Sequence, residues 1–74
     1  MESEDISARL KAIGQKIKDL RLTTGDSQEA FANKLDIQPK QLYRLESGKN
    51  FQMDTLLKIL VFKGITLEEF SKGL

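Results

Sequence analysis

A chain of 74 residues with no cysteine and no histidine makes one domain, 1–74, without disulfide staples or the usual zinc ligands. At this length folding hides only about 60–65% of the unfolded surface, so the core is thin. Twelve basic and eleven acidic residues leave a net charge of +1, too little for bulk electrostatics to drive binding to a polyanion.

Five helices are predicted, joined by turns of about three to six residues. The first runs from about Ile6 to Thr24 on Ile6, Leu10, Ile13, Ile17 and Leu20, which recur at helical spacing. Ser3 or Asp5 suits its start, and Gly25 its left-handed end. The second spans Gln28 to Leu35, with Ser27 as N-cap and Asp26 near its positive end. The third runs from Pro39 to about Ser47, because proline suits a first turn whose N–H groups are unpaired anyway. Gly48 stops it. The fourth, Met53 to Lys63, carries Leu56, Leu57, Ile59, Leu60 and Phe62 and stops at Gly64. Thr66-Leu67-Glu68-Glu69 is a capping box opening a short fifth helix that ends near Gly73. No stretch reads as a strand, so the fold class is all-α. The leucine and isoleucine stripes read as core, and Met53 as a packing or interface residue. The five glycines are scattered, four of them at helix ends, and form no phosphate cradle.

The segment from Ser27 to Lys49 decides the reading. Two short helices are joined by the three residues Asp36, Ile37 and Gln38. Phe31, Leu35, Ile37, Leu42 and Leu45 fall where such a pair closes on itself, and Ala32 is small where the helices touch. Lys40, Tyr43 and Arg44 lie off the buried stripe. A helix-turn-helix, here at about 28–47, offers that outer face to the major groove of DNA. Charge agrees weakly. Residues 1–26 and 51–74 are each balanced, and the surplus lies in 27–50, where Lys34, Lys40, Arg44 and Lys49 outnumber Glu29, Asp36 and Glu46.

Further stretches extend the pattern: Ile13-Gly14, Lys16-Ile17-Lys18-Asp19-Leu20-Arg21, Ser27-Gln28-Glu29, Leu45-Glu46-Ser47-Gly48-Lys49, Thr55-Leu56-Leu57-Lys58-Ile59 and Gly64-Ile65-Thr66-Leu67-Glu68-Glu69-Phe70. In this order and spacing they resemble the lambda-repressor-like, Cro/C1-type (XRE) helix-turn-helix family over about residues 13–70. Residues 1–12 are then an N-terminal extension of helix 1. The resemblance implies a compact five-helix DNA-binding domain. By position it implies that Gln28 contacts a phosphate and sometimes a base, and that Pro39, Lys40, Gln41, Tyr43 and Arg44 face the groove. Lys49 and Asn50 fall in the loop that grips the backbone. The chemistry is apt. Lys40 and Arg44 can donate to guanine, Gln28 and Gln41 can pair with adenine, and Pro39 can touch a thymine methyl. Tyr43, Lys49, Asn50 and Gln28 can hold phosphates, which set register. The resemblance further implies an ion pair between Arg21 and Glu46, since an unpaired acid beside this surface would repel DNA.

Several residues depart from the family pattern. Asp36 stands where glycine is usual, so the turn is expected unchanged at a modest cost in stability. Gln38 replaces the usual Ser or Thr cap of helix 3. Asp26 replaces a commonly apolar residue, and Phe51-Gln52 lacks a proline. Val61 is apolar where a charge is common, and Lys63 charged where an apolar residue is common. Helix 4 is therefore a candidate partner surface, as is helix 5 with Phe70 and Leu74, and the first turns with Ile6 and Leu10 are a third interface or a mobile arm.

The expected function is a sequence-specific double-stranded DNA-binding transcriptional regulator, a repressor acting as a homodimer on a pseudo-palindromic operator. An antitoxin-like protein that holds a partner, such as a toxin, is the alternative. Without histidine, cysteine or a metal-ligand cluster, no catalytic residue, metal or cofactor is expected, and a formally possible Ser–Lys arrangement lacks a pocket. No run of about eighteen apolar residues could span a membrane. The acidic Met1-Glu-Ser-Glu-Asp5 start has no apolar signal core, which places the chain in the cytoplasm.

Overall fold

In a computed structural model, which describes residues 2–74 and the side chains from Asp5 onward, five helices follow in order. They are α1 (Glu2–Thr24), α2 (Gln28–Leu35), α3 (Pro39–Glu46), α4 (Met53–Lys63) and α5 (Leu67–Ser71), with no strand among the described residues.

The long α1 begins earlier than its apolar repeat. Ser3 and Asp5, expected as caps, both lie inside the helix. Nothing in Glu2-Ser-Glu-Asp5 breaks a helix, and acidic residues are favoured near its positive end. Asp5 instead lies 3.5 Å from Arg9 Nε one turn on, an exposed pair that contributes little. The stripe expected as core divides along the helix. Ile17 is fully buried, Ile13 and Leu20 pack partly against the core, Leu10 is half-buried, and Ile6 is 58% exposed. Periodicity marks a helical face, but the domain beneath is too short to cover its first turns.

Where α1 does pack, it rests chiefly on α3. Gly14 makes the approach possible. A Cβ there would run into the carbonyl oxygen of Leu45 and lie 2.8 Å from that of Glu46. Ile17 and Arg21, one and two turns on, share the same face and are also buried.

The α2 cap is the expected one, Ser27 Oγ accepting from Ala30 N at 3.1 Å. Its end closes through Asp36, whose φ of 57° and ψ of 44° are left-handed. The turn survives without glycine because Ile37 N still donates to Ala32 O at 3.0 Å. Ile37 is thereby tucked into the core. Gln38, standing where Ser or Thr is usual, makes no side-chain cap at α3. The α3 helix ends one residue sooner than expected, with Ser47 as its C-cap.

Phe31, Ala32, Leu42, Leu45 and Ile59 form the fully enclosed centre of the core. Leu56 and Leu60 close it from α4. Leu57 and Phe62, counted with the same stripe, instead stand 42% and 48% exposed. Phe70, expected as a partner surface, is another correction: it is core. Lys16 explains how so short a helix as α5 is fixed. Its Nζ donates to Phe70 O and, at 2.8 Å, to Lys72 O, and lies 5.1 Å from the centroid of the Phe70 ring. The capping box at Thr66 and Glu69 is formed as the sequence predicted.

Two carboxylates tie this scaffold to pH. Asp26 accepts from Lys34 Nζ at 2.8 Å and from Thr24 Oγ1 at 2.9 Å, and these bonds hold its pKa below the ordinary 3.8. Glu69 is likewise held low, by the backbone N–H and then the hydroxyl of Thr66. A depressed folded pKa contributes stability that is complete above the ordinary value and disappears as pH falls through the folded one. The urea midpoint should fall between about pH 5 and pH 2, and Asp26→Asn should flatten part of that fall while lowering the midpoint at neutral pH. An unaltered acid limb in the variant would show that Asp26 contributes nothing to it.

Candidate nucleic-acid interface

The outward side of α3 is decided by which of its residues the core takes. Leu42 and Leu45 are fully buried, and at helical spacing this turns Lys40, Tyr43 and Arg44 to solvent. Tyr43 is 55% exposed, so its ring is not spent covering the helix pair. Pro39 is exposed at the first turn, where its missing N–H costs nothing. These side chains form one face with no acid among them.

The loop after α3 folds back beside this face. Gly48, at a φ of 79°, lets Lys49 N reach Arg44 O at 3.0 Å. Lys49 and Asn50 are therefore exposed next to the end of α3. Lys40, Gln41, Arg44 and Asn50 share a shallow groove with Gln38, Phe51 and Gln52. Gln41 is half-buried there, and its Nε2 donates to Gln52 Oε1 at 3.3 Å. It props the loop against the helix, which leaves less of it to read a base than its position implied.

Glu46, at the end of α3, is neutralised. Arg21 Nε donates to Glu46 Oε2 at 2.7 Å and Arg21 Nη2 to Oε1 at 3.0 Å, a two-armed pair with side chains only 10% and 4% exposed. This bond raises the Arg21 pKa further. Arg21 Nη1 also holds Asp26 O at 2.9 Å, so one guanidinium joins α1, the turn before α2, and α3.

Gln28 sits away from the α3–loop groove and has a partner the sequence did not reveal. Its Nε2 donates to Glu46 Oε1 at 2.9 Å. A carboxylate accepts only, so the amide must aim its nitrogen at Glu46. Its oxygen then stays available for an external donor, such as the amino group of adenine or cytosine. One N–H also remains for a phosphate. No local pattern signals such a bond between residues eighteen positions apart. The hint was chemical: an amide opening one helix and an acid ending its neighbour.

The described residues hold no cluster of acids, histidines or cysteines able to bind a metal, and no helix among them is long and apolar enough to cross a membrane. A family model described as helix-turn-helix matches residues 17–70. No curated protein and no solved structure matches the chain significantly.

Proposed function

Because the chain belongs to the helix-turn-helix family of DNA-binding regulators, matched over residues 17–70, we propose that it is a sequence-specific repressor that places α3 in the major groove of double-stranded DNA. One observation carries this reading: Lys40, Tyr43 and Arg44 stand outward because Leu42 and Leu45 are inward. Lys40 and Arg44 read bases, with Pro39 against an apolar edge. Tyr43, Lys49 and Asn50 hold phosphates, and Gln28 joins them from the start of α2. Arg21 and Glu46 set the angle between α1 and α3 and touch no base. Two copies, their α3 helices one turn of DNA apart, read a pseudo-palindromic operator in the cytoplasm.

An unbiased selection of DNA sequences by the purified protein at moderate salt is the test. A symmetric motif is expected. Arg44→Ala should weaken the best site by about 1–3 kcal/mol and blur one base position in each half. Lys49→Ala should weaken all sequences alike and flatten the salt dependence, because it removes a phosphate contact. Enrichment of no motif, or an Arg44→Ala motif identical to that of the parent, would end the base-reading assignment.

A second reading, an antitoxin-like protein that holds a partner such as a toxin, draws on the net charge of only +1 and the apolar residues α4 leaves exposed. A second protein co-purifying in fixed ratio would favour it.

A further inference from the structure

We propose that the exposed face of α4 is where a second copy of this chain docks, the two α4 helices lying antiparallel about a twofold axis. The inference rests on the homodimer reading above and names its surface. Leu57, Val61 and Phe62 stay exposed although α4 already supplies the core with Leu56, Ile59 and Leu60, and Val61 is 79% exposed. The three line an open groove between α4 and the end of α2, with Leu35 at its floor and Lys34, Asp36, Asp54 and Lys58 along its edges. None of the side chains assigned to DNA lies in it, so both surfaces can be occupied together.

The charges beside the groove argue for a second copy as its occupant. Asp54, Leu57, Lys58 and Val61 follow the spacing of one helical face. Asp54 and Lys58 are one turn apart and are not paired with each other among the described residues; Lys58 Nζ instead reaches toward Asp36 O at 3.5 Å, an exposed contact that a partner carboxylate can displace. An antiparallel pairing centred on Leu57 sets that residue against its own copy and brings Val61 level, along the axis, with position 53 of the other copy. A twofold axis keeps each flank facing the same flank, so Asp54 comes within about two residues' rise, roughly 3 Å along the axis, of Lys58 in the other copy. The contact occurs twice. The apolar groove beside α5, lined by Met53, Leu67 and Leu74, has Glu68 as its one charged residue, and self-pairing there gives no such exchange.

Sedimentation equilibrium over a concentration series, without DNA, tests the proposal. The parent chain should dimerise, and Val61→Glu, a change at the most exposed apolar site, should weaken the dimer roughly tenfold or more. Asp54→Lys and Lys58→Asp should each weaken self-association, whereas an equal mixture of the two variants should associate at least as well as the parent, because every 54–58 contact then joins opposite charges. A parent that stays monomeric, a dimer indifferent to Val61→Glu, a mixture that fails to recover, or association lost through Leu67→Glu instead would overturn it. Arg44→Ala should leave sedimentation unchanged. A dimer that selects no DNA motif would remove the regulator reading and keep this one, while motif selection by a monomer would do the reverse.

Discussion

Glu46→Ala is expected to lower the free energy of unfolding by about 3–5 kcal/mol. Domains hold only about 0.05–0.15 kcal/mol per residue, so a chain this size has on the order of 4–11 kcal/mol in total. The variant should therefore unfold at much lower urea, with a fraction unfolded already in buffer. The size of the loss follows from what remains. Arg21 would keep its charge in a site where its side chain is 10% exposed, with both arms toward Glu46 empty and only the bond to Asp26 O retained. Gln28 would lose the acceptor that aims its amide.

Two further variants separate the pair's own worth from the cost of breaking it. The double change Arg21→Met with Glu46→Leu leaves no buried charge and should recover much of the loss, since well-packed apolar pairs often match buried ion pairs. It should not recover full DNA affinity, because Gln28 would no longer be held in one orientation. Urea denaturation measures the first expectation, and titration with the selected operator the second. A Glu46→Ala loss under about 1 kcal/mol would mean that water replaces the carboxylate easily, and the pair would then be an ordinary surface contact.

How much of this was legible in the sequence depends on how local each cause is. The ends of α2, α4 and α5 were readable because their signals lie within a few residues: Ser27 before α2, Gly64 after α4, Thr66 with Glu69 at α5. The start of α1 was not, because a helix continues until something stops it, and the apolar repeat beginning at Ile6 is not a stop. Burial along α1 and α4 was harder still. Leu57 and Phe62 are as apolar as Leu56 and Ile59, and only the position of α2 and α3 decides which side of the helix is covered. The Arg21–Glu46 pair was legible through the family pattern. The bond from Gln28 to Glu46 was not, because it is created by the angle at which α2 meets α3. The outward side of α3 was readable since Leu42 and Leu45 fix its opposite side within a single helix.

Gly14→Ala is expected to destabilise the domain by about 1–3 kcal/mol, the cost of overpacking, although the same change in an open helix would stabilise it by about 1 kcal/mol. The sign turns on what the methyl group meets. It would run into the Leu45 carbonyl oxygen and come within 3.0 Å of the Glu46 carbonyl carbon, and these are backbone atoms that cannot swing aside as a side chain does. The end of α3 that carries them is itself held, by Gly48 N on Leu45 O at 3.2 Å and Lys49 N on Arg44 O at 3.0 Å. So α1 must move away. That motion also stretches the bond from Arg21, on the same face of α1, to Glu46 on α3. Gly14→Ala and Glu46→Ala should consequently be non-additive, the double variant losing less than the two single losses together, because the second change finds the pair already strained. Urea midpoints of the two single variants and the double variant measure this. A stabilised Gly14→Ala, or strictly additive losses, would show that α1 and α3 do not meet as closely at this point as the packing requires.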